Sequence, residues 1–467
     1  MFDVVVIGAG PAGVNAAMRA ADLGARTALI ASADFGGMAA NDGPVPVRTL
    51  AHAARLMREA RQLAQYGIAV SEPKLDYARL LKRAGEIVAD VRAHSAWRDD
   101  LDRLGVTFHE RAGNVRFLDS HTLETANGTK LEADKTIICT GGSSRRLAIP
   151  GFKLTATPGD ALGLQAVPES MLVIGAGATG VQVASIFNAF GSHIQLFQGA
   201  ARIIPTEDEE ISAAVAAAFR KAGIVIRESF GEIESFEKTA RGVRMTFAKD
   251  GLRETADAAL AVVAVGWVVD ADALNLAAVD VRADARGYMQ VDDYLRTSNP
   301  TIFAAGDVTG RMMLVPQAIQ QGFVAGTNAV RGPMMRIGHE VSPIGSFTDP
   351  EYAQVGLTEA KAREAHDVVV VKITFDTTTR TIIDGHTSGF CKLVVDRATS
   401  RILGCHIVGE RAVDISQVVA IAMTAEMTVD QLALIPLSFP TYAGIIGRAA
   451  YRAARELGHD VGWSRTP

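Results

Sequence analysis

The sequence predicts an α/β protein organised around two dinucleotide-binding domains of the Rossmann type. A glycine fingerprint, G-x-G-x-x-G, occurs twice, and each copy stands between an apolar strand pattern and a helix pattern. A single hydrophobic core stops growing at roughly 250–300 residues. Because the chain has 467 residues, a further domain is expected beside the two nucleotide-binding ones.

The first fingerprint lies near the N-terminus, in VVVIGAGPAGVNAAMRAADLGARTALIA. Its first glycine permits a tight turn, its second lets the backbone approach a pyrophosphate, and its third lets the helix pack closely on the strand. The phosphates would then lie at the positive end of the helix dipole. The predicted strand, helix and second strand span residues 4–7, 11–23 and 26–30. The residues expected to bind the dinucleotide are Gly8, Gly10, Pro11, Ala12 and Gly13.

The second fingerprint lies in MLVIGAGATGVQVASIFNAFGSHIQLFQ, with a predicted strand at 171–174 and a predicted helix at 178–190. Residues 171–192 carry no formal charge, a feature they share with membrane spans. The glycines of this stretch, together with the polar Gln182 and Asn188, favour a strand–turn–helix unit instead. The residues expected to bind the second dinucleotide are Gly175, Gly177, Thr179 and Gly180.

Both fingerprints lack the acidic residue that usually binds the adenosine ribose. Ala31 and Gln198 stand where that residue is expected. Ser32 or Asp34 could bind the first ribose instead. Gln198 can hydrogen-bond a ribose hydroxyl without repelling a 2′-phosphate, and Arg202 could contact such a phosphate or be a solvated surface arginine. Because no arginine stands directly beside Gln198, NADH is slightly favoured over NADPH.

Composition and charge exclude several classes of function. With 48% hydrophobic and 21% charged residues the chain is typical of a soluble globular protein, and a net charge of −5 offers no basic surface to nucleic acid. The N-terminus lacks the positively charged region of a signal peptide. The three cysteines, Cys139, Cys391 and Cys405, form no CxxC pair. A cytoplasmic location without a membrane span is therefore expected, and no metal site is predicted.

Two further segments end apolar strands, TSNPTIFAAGDVTG at 297–310 and TIICTGG at 136–142. With these segments the chain resembles the two-dinucleotide-binding flavoprotein disulfide reductases, among them lipoamide dehydrogenase, glutathione reductase, mercuric reductase and the soluble transhydrogenase. The resemblance implies bound FAD together with NADH or NADPH. It also implies that Asp307, which follows Gly306, holds the ribityl chain of the flavin rather than only capping the next turn. Cofactor-binding positions are likewise implied at Thr140 and Gly141.

The resemblance extends over nearly the whole chain. EDEEI at 207–211 and AVVAVGW at 261–267, which contains Gly266, match the nicotinamide domain, and FTDPEYAQVGLTEAKA at 347–362 matches the C-terminal domain. A C-terminal α+β dimerisation domain is implied, and with it a homodimer whose active sites use both chains. The implied domains are an FAD-binding domain at 1–150 and 271–338, an NAD(P)H-binding domain at 151–270 and a dimerisation domain at 339–467.

The chain departs from the family in FGGMAANDGPVPVRTL, residues 35–50, here called the redox loop. The family pattern is G-G-T-C-x-N-x-G-C-x-P-x-K. Gly36 and Gly37 remain, but Ala39 and Pro44 occupy the two cysteine positions. Neither residue can accept electrons from a flavin as a thiolate does. The three cysteines of the chain fall on strands and are expected to pack as small apolar residues.

The C-terminus carries a second departure. The family pattern H-P-T-x-x-E supplies a histidine base and the glutamate that orients it, whereas SFPTYAG places Phe439 and Gly444 at these positions. Phenylalanine cannot act as a general base. The bond between Phe439 and Pro440 is expected to be cis, like its family counterpart. A third departure concerns a lysine–glutamate pair near the flavin, whose nearest matches here are Arg48 and Gln182.

These losses predict an FAD-dependent NAD(P)H oxidoreductase that passes electrons to a small non-disulfide acceptor such as a quinone. Phe439 and the changed redox loop would make the acceptor face apolar. Arg48 would stabilise negative charge on the reduced flavin or acceptor, or be a solvated arginine at the start of a helix predicted at 49–65. His52 and Arg55, on the same helix face as Arg48, could contact an anionic acceptor or form a plain polar face.

Two alternative functions remain open. One is hydride exchange between the two nicotinamide cofactors, because the soluble transhydrogenases also depart from the cysteine pair and carry an aromatic residue before P-T. The other is a redox-responsive binding module with little turnover, which would fit the loss of acid and base groups. The intact glycine fingerprints and Asp307 argue against the second alternative.

Overall fold

The computed structural model describes residues 1–93, 96–338 and 341–462. The chain forms two compact units, each assembled from separate stretches of sequence. The first unit comprises Met1–Leu50, Asp76–Arg146 and Gly266–His339, and the second comprises Ala51–Leu75, Leu147–Val265 and Glu340–Pro467. The division into three domains stays a prediction.

The first unit contains a seven-stranded sheet with a parallel centre. Phe2–Ile7 pairs in parallel with Thr27–Ile30 on one side and with Lys130–Ile138 on the other. The central strand is completely buried from Val4 to Val6, because both faces of a parallel sheet are covered. The other strands of this unit are Thr107–His109, Val115–Asp119, Thr122–Thr125, Ser143–Ser144, Trp267–Val268 and Ile302–Ala304.

Two long helices cover one face of this sheet. Pro11–Asp22 begins directly after the first glycine turn, with proline at a position where its missing N–H is not needed. It packs against Val315–Arg331, and the two helices share one hydrophobic core with the sheet. The remaining α-helices of the unit are Gly37–Asn41, Tyr77–Ala93 and Ala96–Arg103, and its 3₁₀ turns are Asp272–Leu274, Leu276–Val279 and Asp307–Thr309.

The helix Pro44–Gln62 starts in the redox loop. The sequence predicted this helix at 49–65, and the prediction was wrong at both ends. Pro44 and Pro46 fall in the first turn, where backbone N–H groups have no partner within the helix, so proline is tolerated there. At the other end, Leu63–Tyr66 continues the chain as a 3₁₀ turn.

The second unit contains a four-stranded parallel sheet. Ser170–Ile174 lies between His193–Gln198 and Leu260–Val263, and Val225–Glu228 forms an edge. The neighbouring three-stranded antiparallel sheet consists of Glu232–Thr239, Gly242–Lys249 and Leu252–Ala258. The helices of this part are Pro158–Leu162, Ala178–Ala189 and Glu209–Lys221, with a 3₁₀ turn at Phe152–Leu154.

Residues 171–192, uncharged in the sequence, form the predicted strand–turn–helix unit. The strand ends at Ile174, and the helix begins at Ala178 after the glycine turn. Across the described ranges, no helix combines the length and the apolar character needed to cross a bilayer.

The C-terminal part of the second unit is a five-stranded antiparallel sheet, in the order Ile344–Ser346, Tyr352–Gly356, Ile402–Val408, Phe390–Asp396 and Val368–Thr374. One face contributes apolar side chains to a core shared with Ala412–Thr424 and Gly444–Glu456. The other face carries a polar row of directly opposed residues, Gln354, His406, Lys392 and Lys372. Short helices lie at Glu359–Arg363, Thr379–Ile383 and Val429–Ala433, with a 3₁₀ turn at Phe375–Thr377.

Candidate functional site

The two glycine turns have the same local geometry. The first glycine of each has a positive φ, 106° at Gly8 and 97° at Gly175. A Cβ on Gly13 would lie 1.7 Å from the carbonyl oxygen of Gly8, and one on Gly180 would lie 1.8 Å from that of Gly175. Only glycine allows the helix to approach the turn this closely. Both fingerprints therefore form the strand–turn–helix unit that the sequence predicted.

The middle glycines, Gly10 and Gly177, are not required by contacts within the protein. Both have ordinary backbone conformations, with φ of −81° and −77°. A Cβ on Gly10 would meet only the Cα atom of Gly37, at 3.8 Å, and a Cβ on Gly177 would meet nothing within 4 Å. A side chain would instead fill the space in front of the helix N-terminus, where a pyrophosphate is stabilised. Both turns therefore fit a dinucleotide.

Asp307 has the environment expected of a residue that binds the flavin. It lies three residues after the end of the buried strand Ile302–Ala304 and directly after Gly306. No side chain caps the 3₁₀ turn that begins at Asp307. Burial raises the pKa of its carboxyl, and no charged neighbour counteracts this effect among the described residues. Gln321 Oε1 fixes the turn by accepting a hydrogen bond from the Gly306 N–H at 2.8 Å. A half-buried carboxylate of this kind suits hydroxyl donors such as those of a ribityl chain.

The other flavin positions implied by the resemblance also lie in the first unit. Thr140 and Gly141 directly follow the strand Lys130–Ile138 and residue 139, and Gly141 has a φ of 70°. Gly266 accepts a hydrogen bond at its carbonyl oxygen from the Arg145 N–H, at 2.9 Å. Gly266 therefore groups with the first unit, although the resemblance placed it in the nicotinamide domain.

At the first ribose position, Ala31 is buried and Ser32 is exposed. Asp34 accepts hydrogen bonds from Arg111 Nε at 2.8 Å and from Arg92 Nη1 at 3.1 Å. The Arg111 hydrogen bond and charge, followed by those of Arg92, lower the pKa of the Asp34 carboxyl. Asp34 therefore anchors the start of the redox loop, and its contact with a ribose stays a prediction.

Gln198 is buried, and its Oε1 accepts a hydrogen bond from the Ala176 N–H of the second glycine turn, at 3.1 Å. The orientation leaves the Nε2 hydrogens as its donors to a ribose hydroxyl. Arg202 Nη2 donates to the carbonyl oxygens of Pro205 and Glu207, at 3.0 and 2.9 Å. The interpretation of Arg202 as a solvated surface arginine is therefore wrong, because this side chain closes its own loop.

Thr179 and Gln182 lie in the first turns of the helix Ala178–Ala189. Gln182 Nε2 donates to the Ala178 carbonyl oxygen at 3.1 Å, and its Oε1 accepts from the Phe347 N–H at 3.5 Å. Both polar ends of this side chain thus have partners within the second unit, and its contact with the flavin stays a prediction.

The redox loop is mostly helical. Gly36 and Gly37 have positive φ angles of 93° and 58°, which place the short helix Gly37–Asn41 directly after the turn. Ala39 lies half-buried in this short helix, whereas Pro44 is exposed at the start of the next. Neither side chain carries a group that could exchange electrons or protons.

Two residues outside the redox loop, Glu110 and Arg92, fix its conformation. Glu110 Oε1 accepts from the Phe35 N–H at 3.1 Å, and Arg92 Nε donates to Asn41 Oδ1 at 2.6 Å. Arg92 also pairs with Asp34, as described above, and so connects the beginning and the middle of the loop. The sequence analysis missed Glu110, Arg92 and Gln321. No sequence signal distinguishes Gln321, because its helix carries other polar residues such as Gln317 and Asn328, and the partners of Glu110 and Arg92 lie 75 and 51 positions away.

None of the three cysteines belongs to the redox loop, and all three are buried free thiols. Burial raises the pKa of the Cys139 thiol, and burial together with its neighbour Cys391 raises that of Cys405. Cys391 and Cys405 lie on adjacent strands with their Sγ atoms 3.8 Å apart. The expectation that these residues pack as small apolar side chains is confirmed.

Arg48 is exposed within the first turns of the helix Pro44–Gln62, one turn before the exposed His52. Arg55 has a different environment, because its guanidinium forms ion pairs with Glu59 at 2.6 Å and with Glu410 at 2.5 Å. Its guanidinium thus already has two carboxylate partners, and contact between Arg55 and an anionic acceptor stays a prediction. For His52 a plain polar helix face and an acceptor contact both stay open.

Phe439 is 82% exposed, and its peptide bond to Pro440 is cis, as expected. A groove of about 440 Å³ lies beside its ring. Apolar, hydroxyl-bearing and cationic residues line the groove, but no carboxylate does. Its side chains include Ile435, Leu437, Ser438, Thr441, Arg380 and Arg448.

Comparisons with known proteins agree with this architecture. The family model described as "Pyridine nucleotide-disulphide oxidoreductase" matches residues 2–322, and that of its dimerisation domain matches residues 342–450. A mercuric reductase from Lysinibacillus sphaericus is 32% identical over 436 residues, 92% of this chain and 79% of that protein. A dihydrolipoyl dehydrogenase from Geobacillus stearothermophilus is 30% identical over 456 residues, 96% of this chain and 95% of that protein.

Among solved structures, the chain is similar to the HOCl-induced flavoprotein disulfide reductase RclA from Escherichia coli. The TM-score is 0.83, and the alignment covers 96% of this chain and 99% of that one. At 24% sequence identity, this likeness supports the fold alone.

Proposed function

The chain belongs to the pyridine nucleotide-disulphide oxidoreductase family, and from this premise we propose that it transfers electrons from NAD(P)H to a small acceptor that is not a disulfide. This family uses FAD and NAD(P)H. When bound, FAD would accept a hydride from NAD(P)H and pass two electrons to the acceptor. The acceptor class that we propose is a quinone or another flat, uncharged molecule.

The position of the thiols carries this proposal. Reduction of a disulfide begins with the attack of a thiolate on a disulfide sulfur. Ala39 and Pro44 stand where the family pattern has its cysteines, and Cys139, Cys391 and Cys405 are buried. Burial opposes formation of the thiolate. An acceptor that takes electrons directly from the flavin needs no such relay.

The surroundings of Phe439 support a flat acceptor. An exposed aromatic ring offers a stacking surface, and phenylalanine has no proton to give or take at the position of the family's histidine. Arg380 and Arg448 line the adjacent groove; Arg380 Nε pairs with Asp384 at 2.7 Å, whereas Arg448 Nη1 donates to the Thr377 hydroxyl at 3.2 Å. Guanidinium groups of this kind favour an acceptor that gains negative charge on reduction. We assign the same electrostatic role to Arg48, within the changed redox loop.

We further propose that the protein is a cytoplasmic homodimer. Its C-terminal part matches a dimerisation domain, and large apolar side chains are exposed there, including Ile421 at 69% and Leu434 at 63%. Such residues are usually covered by a partner when they form a contiguous patch. The three free thiols agree with a reducing compartment.

The proposal is tested under anaerobic conditions with the FAD-loaded protein. NADH or NADPH is expected to bleach the flavin absorbance, and a benzoquinone is expected to restore it within one mixing experiment. Oxidised glutathione, lipoamide and Hg²⁺ are expected to leave the reduced flavin unchanged. Flavin that stays oxidised with both nucleotides, or rapid turnover of a disulfide, would contradict the proposal.

Alkylation separates a flavin-only mechanism from a hidden thiol relay. Iodoacetamide is expected to leave quinone turnover unchanged, whether it is added before or after reduction by NADH, because no thiol takes part. In a dithiol enzyme, reduction releases a thiolate that iodoacetamide then blocks. Inactivation by iodoacetamide that requires prior reduction by NADH would therefore contradict the thiol-free mechanism.

One observation favours hydride exchange between NADH and NADPH as a second candidate. Gln198 Oε1 accepts a hydrogen bond from the Ala176 N–H. The Nε2 hydrogens of this side chain can therefore donate either to a ribose hydroxyl or to a 2′-phosphate. Comparable affinities for NADH and NADPH, with transfer between them, are expected in that case. A preference beyond ~100-fold, or ~2.7 kcal/mol, would exclude this candidate.

A further inference from the structure

We propose that Lys392, on the C-terminal sheet, positions the nicotinamide-nucleotide site of the second glycine turn. This inference rests on the proposed binding of NAD(P)H at that turn. Lys392 would be a positioning residue, because it acts through the segment 199–208 and not by touching the nucleotide. That segment joins Gln198 to the helix Glu209–Lys221.

The Lys392 ammonium is the centre of a buried ion cluster. Only 2% of its side chain is exposed, and its Nζ lies 2.6 Å from Asp208 Oδ1, 3.1 Å from Glu210 Oε1 and 3.1 Å from Glu359 Oε2. Three carboxylates thus receive the three N–H groups of one ammonium. Burial works to lower the pKa of Lys392, but these three partners raise it, so the side chain stays charged.

Asp208 connects this ion cluster to the N-terminus of the helix Glu209–Lys221. Its Oδ1 also accepts a hydrogen bond from the Glu210 N–H at 3.1 Å and so caps the helix Glu209–Lys221. Its Oδ2 accepts from the Glu359 N–H at 3.3 Å. A buried carboxylate with these contacts is costly to leave without its cation. Lys392 therefore fixes the point at which the segment 199–208 ends.

The segment is hydrogen-bonded directly to the glycine turn near its middle, at Ile204. The Glu207 N–H donates to the Ile204 carbonyl oxygen at 3.1 Å, and the Ile204 N–H donates to the Ala176 carbonyl oxygen at 2.7 Å. The Ala176 N–H in turn donates to Gln198 Oε1 at 3.1 Å. A displacement of Asp208 is thereby transmitted to the two residues that shape the nucleotide site, Ala176 and Gln198.

Among the described ionisable groups that face the cluster, Lys392 is the buried cation. Lys372 pairs with Glu210 but is 44% exposed, and Arg363 pairs with Glu359 at the surface. His406 lies opposite Lys392 on the neighbouring strand, and burial lowers its pKa, which keeps the imidazole neutral. Lys372 is therefore a matched control, because it lies in the same polar row and contacts the same acidic helix terminus.

The test compares Lys392→Met with Lys372→Met in the FAD-loaded protein, by equilibrium binding of NADH at constant flavin content. Lys392→Met is expected to weaken NADH binding about tenfold, as typical coupling between neighbouring elements allows, while flavin content stays that of the wild type. Lys372→Met is expected to bind NADH within about twofold of the wild type. The acidic groups left by Lys392→Met repel one another less when protonated, so the NADH affinity of this variant is expected to recover towards that of the wild type from pH 8 to pH 5. The wild type is measured at each pH, because the buried Glu207 of the same segment also titrates in this range.

Unchanged NADH affinity in Lys392→Met, or equal losses in both variants, would overturn the inference. A loss that does not recover at lower pH would indicate general destabilisation and overturn it as well. If Lys392→Met does not fold, Asp208→Asn replaces it, since asparagine still caps the helix but lacks the charge; wild-type NADH affinity in that variant would refute the inference. A wild-type protein that binds no NAD(P)H would instead refute the proposed function.

Discussion

The glycines of the two fingerprints meet two separate demands. Gly13 and Gly180 allow a helix to pack against a carbonyl oxygen at a distance that excludes any side chain. Gly10 and Gly177 have open space where a Cβ would lie and ordinary φ angles. The first pair is therefore required by packing within the protein, whereas the second pair leaves open the space in which a dinucleotide is expected.

Substitution by alanine is expected to separate these demands in the second turn. Gly180→Ala would place its Cβ 1.8 Å from the Gly175 carbonyl oxygen, so the free energy of unfolding should fall by about 1–3 kcal/mol in thermal or urea unfolding. Gly177→Ala should change it by less than about 1 kcal/mol but weaken NADH binding at least tenfold. Normal NADH affinity in Gly177→Ala would show that no phosphate lies against this residue.

The residues that could be predicted from the sequence are those whose role depends on local spacing. The fingerprints specified both turns, because three glycines at fixed intervals leave few alternatives. The directions of Gln198 and Arg202 could not be predicted. Gln198 turns to an amide 22 positions earlier, and Arg202 folds back on carbonyl groups of its own loop. Both choices depend on which backbone groups the fold leaves without partners.

The redox loop shows how an element is held by distant residues. Its short helix Gly37–Asn41 has too few residues to be stable alone, yet Arg92 joins Asn41 and Asp34 across it. Its two prolines fall in the first turn of the following helix. The sequence prediction placed that helix five residues too late, because proline interrupts a helix everywhere except in its first turn, and Pro44 and Pro46 both lie in that turn.

Arg92→Met is expected to loosen the redox loop. Because Arg92 contacts Asn41 at the end of the short helix and Asp34 before its start, its loss should weaken FAD binding several-fold and speed limited proteolysis within residues 35–50. Arg111→Met is the control. Arg111 also contacts Asp34, but its loss leaves the contact between Arg92 and Asn41 in place. It is exposed, so it should have little effect. Equal FAD affinity in the two variants would contradict this role of Arg92.

For the whole molecule, the pH dependence of the free energy of unfolding follows from buried carboxyl groups whose negative charge the fold does not fully neutralise. Burial raises the pKa of Glu207 to about 7, and burial followed by the charge of Glu410 raises that of Glu351 to about 7. A carboxyl whose pKa is higher in the folded state binds its proton there first. Both groups therefore stabilise the fold at low pH and lose that contribution as pH rises through 7.

The double variant Glu207→Gln/Glu351→Gln is expected to match the wild type in stability at pH 4, where both carboxyls are protonated in the folded state and mostly protonated in the unfolded chain. At pH 8 it should exceed the wild type by about 1–3 kcal/mol, because glutamine does not have to be buried as an anion. Urea unfolding at the two pH values measures the difference. Glu364→Gln, at an exposed position, is the control and should show no such change. A pH-independent difference between double variant and wild type would contradict the assignment.

The Lys392 cluster also bears on how such a protein can be recombined. Lys392 lies 182 positions after Glu210, so a buried charge balance is divided between two distant stretches of one chain. A chimera that joined the nucleotide-binding part to a foreign C-terminal domain would keep Asp208 and Glu210 but lose Lys392, and would leave the Asp208 carboxylate buried without its cation unless the donor supplied a lysine at the same place. Substitutions at Lys392 and at its acidic partners are therefore expected to occur together, and the C-terminal sheet cannot be exchanged as an independent module.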